Sequence, residues 1–130
     1  LGMQILLTVS YEFGVHKGLG LIEGKVIKIS NEKNKEIKIP HMGWNEIYPN
    51  NNKKEWKNKI LKNSSIGKSF YFVHSFVCIT KDYDSTIAVC NYSDISIPAV
   101  IATGNVYGCQ FHPEKSADNG LAVLKNFCET

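Results

Sequence analysis

From Ser69 to Phe111 the apolar residues come in short Val-, Ile- and aromatic-rich runs separated by turn signals, a spacing that commits this half of the chain to β-sheet. Ser69-Phe70-Tyr71-Phe72-Val73 is almost continuously apolar, as expected for a central strand covered on both faces. Thr86–Cys90, Pro98–Ala102 and Asn105–Phe111 predict three more strands, with turns at 91–96 and at Gly104-Asn105. Beyond them, Asn119–Cys128 puts Leu121, Leu124 and Phe127 at helical spacing, with Ser116 or Asp118 available as a cap. A closing helix should lay that apolar face on the sheet.

The first half is less regular. Ile5, Leu6, Leu7 and Val9, preceded by Met3 and Gln4, favour a helix at the very start. Glycines at 14, 18, 20 and 24 punctuate a loop, after which Lys25–Ser30 alternates like a strand with Val26 inward. Glu36–Ile39 reads as an edge strand stopped by Pro40, and Pro40–Glu46 as a loop whose Met42 and Trp44 need a partner. The Lys- and Asn-rich run from Asn50 to Lys62 reads as a solvated surface segment. Many strands with only two helices would be odd for a complete α/β domain but fit the C-terminal part of one, so residues 1–130 are expected to form a single, partial domain.

Composition narrows the partners. All 15 basic residues are lysine, so the guanidinium fork that reads phosphate and guanine edges is missing, which counts against nucleic-acid recognition. No apolar run is long enough to span a bilayer, so no membrane association is expected and the default location is the cytoplasm. Cys78, Cys90, Cys109 and Cys128 are irregularly spaced, which predicts reduced, buried thiols rather than disulfides or a metal site.

The segment Gln110-Phe111-His112-Pro113-Glu114-Lys115-Ser116 carries the chemistry. In an extended chain residues i and i+2 face the same way, so Glu114 can fix one nitrogen of His112 and leave the other to act as base or acid. Taken alone, a His-x-Glu pair at a strand end can equally be a surface pair. Leu1-Gly2-Met3-Gln4, Pro40-His41-Met42-Gly43-Trp44-Asn45, Tyr71-Phe72-Val73-His74-Ser75-Phe76 and the His112 segment change that weighting, because in this order they resemble the class I (triad) glutamine amidotransferases. The resemblance is greatest to the glutaminase subunits of imidazole glycerol phosphate synthases, and it covers essentially the whole chain.

That resemblance implies a flavodoxin-like three-layer α/β domain, represented here by its C-terminal part, and the hydrolysis of glutamine to glutamate and ammonia without metal or cofactor. His112 and Glu114 would be the base and its orienter. The Leu1 amide would supply an oxyanion donor, Gly2 would permit close approach, and Gln4 and Glu12 would bind glutamine. His74, Ser75 and Phe76 would line its amino-acid end, where the family usually has Tyr in place of Phe76. Met42, Trp44, Asn45 and Lys115 would face a (β/α)8-barrel synthase that receives the ammonia in histidine biosynthesis. The family's nucleophilic cysteine maps one place ahead of Leu1, and none of the four cysteines present substitutes for it, so this polypeptide by itself is expected to be inactive. Two other readings of the same residues are an amidotransferase subunit for surface-polysaccharide sugars and a non-catalytic regulatory module.

Overall fold

The computed structural model describes residues 2–31, 33, 36–50, 55–56 and 58–130. The chain is mixed α/β, as the sequence implies. Helix α1 (Gly2–Ile5) opens it and helix α2 (Ala117–Cys128) closes it. Between them run β1 (Val9–Ser10), β2 (His16–Lys17), β3 (Gly24–Lys28), β4 (His41–Glu46), β5 (Tyr48–Pro49), β6 (Ser69–His74), β7 (Phe76–Thr80), β8 (Thr86–Tyr92), β9 (Ile95–Thr103) and β10 (Val106–Cys109).

Three sheets share the work. One has the order β2-β1-β3-β7, a second β10-β9-β8-β5, and the third is the antiparallel pair β4-β6. Only β1 and β3 pair in parallel among the described strands. The chain changes sheets at Ser75: β6 ends at His74 in the two-stranded sheet and β7 begins at Phe76 beside β3. A bend between sheets has to lie where their edges part, and this one forms the wall of a cavity.

Two apolar clusters hold the sheets together. The larger gathers Phe70, Phe72, Ala88, Ile97, Val100, Phe111 and Leu61; the smaller gathers Met3, Leu7, Ile22, Val26, Cys78 and Ile101. Phe70 and Phe72 sit against Phe111 with ring centroids 4.2 Å and 5.9 Å away, so β6 and the segment that follows β10 are packed as one body.

Several sequence expectations change. The opening helix stops at Ile5, and Val9 joins a sheet, because Thr8 and Tyr11 backbone N–H groups find Gly24 and Val26 carbonyls instead of helical partners. Pro40–Glu46 is a strand rather than a loop from His41 onward, and Glu36–Ile39, whose residues 36–39 are described, forms no strand. Pairing with β6 wins over the local signals. β6 itself is buried on alternate residues, not on both faces. Strand β7, which the sequence did not mark, completes the sheet around Val26.

The Lys- and Asn-rich run also departs from a wholly solvated segment. Residues 51–54 and 57 lie outside the described residues, but Ile60 and Leu61 are buried and Trp56 packs against the larger cluster. Cys128 is exposed, unlike the buried thiol expected.

Helix α2 presents the unexpected face inward. Gly120, Val123 and Asn126 are buried, whereas Leu121, Leu124 and Phe127 are exposed, Phe127 touching only the rim of Tyr107 at 6.2 Å. Two contacts fix this rotation. A Cβ at position 120 would lie 1.8 Å from the Pro113 carbonyl oxygen, so only glycine lets the helix come this close to the turn after His112. Asn126 Nδ2 donates to the carbonyls of Ile60 (3.0 Å) and Lys62 (2.8 Å), satisfying two acceptors of a buried turn.

These contacts set measurable costs. Asn126→Ala, which strands both carbonyls, is expected to destabilise the protein by about 1–3 kcal/mol. Phe72→Ala, which empties the centre of the larger cluster, should cost about 3–5 kcal/mol. Urea unfolding of the two variants beside the parent protein checks both values.

Candidate functional site

The His112 loop is built by hydrogen bonds to β6 more than by its own conformation. The His112 backbone N–H donates to the Tyr71 carbonyl at 2.9 Å, and Gln110 N–H donates to Ala99 at 2.8 Å, so the segment hangs between β6 and β9. Pro113–Lys115 then makes one 3-10 turn, with Pro at the position where its missing N–H is harmless. Ser116 does not cap α2 with its side chain. Its fully buried hydroxyl donates to the His112 carbonyl at 2.7 Å and accepts the Tyr71 N–H at 2.9 Å.

The turn brings the Glu114 carboxylate onto the imidazole, with His112 Nδ1 2.8 Å from Glu114 Oε1. A carboxylate can only accept, so Nδ1 carries the proton and Nε2 is the nitrogen left for proton transfer. Glu114 is held below the ordinary carboxylate range. Its own backbone N–H is the largest cause, and the hydrogen bond and charge of His112 act in the same direction.

Beside His112 opens a cavity of about 690 Å³. Six residues singled out in the sequence line it: Gln4, Glu12, His74, Ser75, Phe76 and His112. They come from α1, the loop after β1, the bend between β6 and β7, and the segment after β10, so four distant stretches of chain converge. Gln4 Nε2 donates to the Phe76 carbonyl at 3.4 Å, tying the first helix to the bend.

Sequence reading missed Tyr11, Phe13, Lys28, Ile39, Val73 and Gln110, which complete the lining. Phe13 is almost fully exposed, has positive φ, and its ring lies 6.4 Å from that of Phe76, forming an apolar lip. Gln110 is buried, and its Oε1 finds no hydrogen-bond partner among the described residues. Its place two residues before His112 on an extended segment was the available signal. Lys28 is the one lysine on the wall among the described residues, and the same wall holds Glu12.

Other expected site residues lie elsewhere. Leu1 is outside the described residues. Gly2 begins α1 without lining the cavity. On β4, Met42 and Trp44 are exposed on one face, Trp44 only edging against Tyr71 at 6.2 Å. Asn45, grouped with them from the sequence, lies on the opposite face because side chains alternate along a strand, and it donates to the Asn91 carbonyl at 2.9 Å. Lys115 is exposed beside the His112 turn.

No cysteine lines the cavity among the described residues. Burial pushes the thiols of Cys78, Cys90 and Cys109 up to about 12. Such thiols stay protonated and make poor nucleophiles.

Comparisons with known proteins place the chain in a family. The family model described as Glutamine amidotransferase class-I matches residues 1–130. The chain is 44% identical to "Imidazole glycerol phosphate synthase subunit HisH 1" of Legionella pneumophila (strain Lens), over 99% of this chain and 62% of that protein. It is 45% identical to the HisH subunit of Wolinella succinogenes, over 99% of this chain and 60% of the relative. The Geobacillus sp. (strain WCH70) subunit of the same name is 41% identical, over 98% of this chain and 58% of the relative. The chain thus spans about three fifths of the length of the relatives it matches, and their names favour neither the polysaccharide nor the regulatory reading. With the His-Glu pair standing at the cavity mouth and the family match running from end to end, the chain belongs to the class I glutamine amidotransferases.

Proposed function

We propose that these 130 residues are part of a single amidotransferase domain that hydrolyses glutamine, acting as the glutaminase subunit of an imidazole glycerol phosphate synthase in histidine biosynthesis. The observation that carries this reading is the 2.8 Å contact between His112 and Glu114 at the edge of a cavity that also gathers Gln4, Glu12, His74, Ser75 and Phe76. Glutamine is a zwitterion with a neutral amide at its far end. Among the described residues the cavity wall offers a carboxylate, Glu12, and an ammonium, Lys28, for its two charges, with His112 available for the amide.

The nucleophile is the cysteine that the family resemblance puts one residue ahead of Leu1. His112 Nε2 takes the thiol proton, the resulting thiolate adds to the amide carbonyl, and backbone N–H groups, that of Leu1 among them, hold the oxyanion. As the tetrahedral intermediate collapses, the C–N bond breaks and His112 Nε2 gives its proton to the leaving nitrogen, releasing ammonia and a thioester. Water then attacks the thioester while His112 takes a proton from it, and glutamate leaves with the thiolate restored. Glu114 fixes the imidazole orientation and stabilises its charged form in both steps.

The ammonia passes to a (β/α)8-barrel synthase in a cytoplasmic heterodimer, where lyase chemistry on its acceptor follows. Met42 and Trp44 on the outer face of β4, together with Lys115 beside the triad turn, are the residues of this chain that meet the partner. Exposed Trp and Met on a strand flanking the site suit a docking face.

Three outcomes are expected of the full-length protein. His112→Asn lowers kcat/KM for glutamine by about 10²–10⁴-fold, the usual worth of a positioned general base, while Glu114→Ala gives a smaller loss; a coupled glutamate assay measures both. Native alkylation with iodoacetamide at neutral pH modifies Cys128 rapidly and leaves Cys78, Cys90 and Cys109 untouched, read by peptide mass spectrometry. Because Glu114 has a depressed folded pKa, its contact with His112 is fully in place above the ordinary carboxylate value and is lost only as pH falls through the lower one. A carbon-detected titration of the Glu114 carboxyl follows that loss.

A further inference from the structure

Behind the cavity wall lies a buried chain of hydrogen bonds in which every direction is determined. The Phe76 carbonyl can only accept, so His74 Nδ1, 2.9 Å away, is the donor. A neutral His74 then has a bare Nε2, which at 2.8 Å must accept from His41 Nδ1. His41 in turn has a bare Nε2, which accepts from Asn45 Nδ2 at 3.3 Å, and the other hydrogen of that amide goes to the Asn91 carbonyl at 2.9 Å. Asn45 thus donates to His41, His41 to His74, and His74 to the backbone at Phe76.

Both rings are suited to the neutral form this order needs. His41 is 3% exposed and His74 is 7% exposed. Burial, with the neighbouring His74 as a second cause, lowers the pKa of His41 to about 4, and burial also lowers that of His74. Packing fixes the first ring: His41 lies between Phe72 and Tyr92, with centroids 5.0 Å and 4.2 Å away. It is also register-paired with His74 across β4 and β6, so the two imidazoles meet through the ladder itself.

We propose that His41 is a positioning residue for glutamine: by donating to His74 it holds His74 in the one tautomer that grips the Phe76 carbonyl, and so fixes the Ser75–Phe76 bend of the substrate wall. His41 itself does not line the cavity, so it acts through His74 and not by contact. The Phe76 carbonyl takes its second hydrogen bond from Gln4, and the two donors approach from different elements, α1 and β6. Without the His41 donor, His74 is free to move its proton to Nε2, and the Phe76 carbonyl loses the shorter of its two bonds. The substrate site then loses definition while the His112–Glu114 pair is untouched. This inference rests on the reading of the cavity as a glutamine site.

The test compares His41→Phe and His41→Asn in the full-length protein with its synthase partner. Phe keeps the ring between Phe72 and Tyr92 but has no donor; Asn gives up the ring but can put an amide N–H where Nδ1 stood. We expect His41→Phe to raise KM for glutamine roughly three- to tenfold, about the worth of one hydrogen bond, with the loss falling on KM rather than kcat. His41→Asn should return KM toward the parent value despite the smaller side chain. Ring ¹⁵N shifts of the parent protein should show His74 protonated at Nδ1. Overturning results are a His41→Phe KM equal to that of the parent, His41→Asn binding glutamine worse than His41→Phe, or His74 protonated at Nε2. A parent protein that turns over no glutamine, with His74 nonetheless protonated at Nδ1, would instead sink the glutaminase reading.

Discussion

The hydroxyl of Ser116 doubles a junction between two pieces of backbone that the His112 N–H, on the Tyr71 carbonyl, also spans. By accepting from Tyr71 N–H and donating to the His112 carbonyl, it fastens the His112–Ser116 turn to β6, and β6 leads directly into the bend at Ser75. The His112 turn and the cavity-lining bend are therefore referenced to one strand. The packing of Phe70 and Phe72 on Phe111 supports the same alignment from the core side, and the Gly120 contact brings α2 down on the turn from outside. Apolar packing gives the region its stability, and the Ser116 hydroxyl, with both of its roles used, joins the His112 N–H in setting its registration.

A single chain here holds its histidines in two different environments. His112 sits at the surface with a carboxylate on Nδ1. His41 and His74 sit away from water with only neutral partners, an arrangement that disfavours taking up a proton.

The sequence made legible those features that rest on local chemistry. Strands β8, β9 and β10 appear where Val and Ile cluster between turn residues, and the convergence of Gln4, Glu12, His74–Phe76 and His112 follows from ordered motifs. Features decided by distant partners were not legible. β4 looked like a loop because its Gly43 and Trp44 carry no strand period, and it became a strand by pairing with β6. The inward face of α2 was misjudged because the amphipathic pattern of Leu121, Leu124 and Phe127 yields to the Gly120 approach and the Asn126 hydrogen bonds. Phe13 and Lys28 lie on the cavity wall through the path of the chain alone, with no motif to mark them.

Strand β4 serves two masters on alternate residues: Met42 and Trp44 look outward, His41 and Asn45 inward. A slip of one position against β6 would exchange them, driving an indole toward the core and setting an imidazole in solvent. Insertions or deletions between Pro40 and Glu46 should therefore be far less tolerated than point changes there, and the length of this short segment is as strictly constrained as its composition.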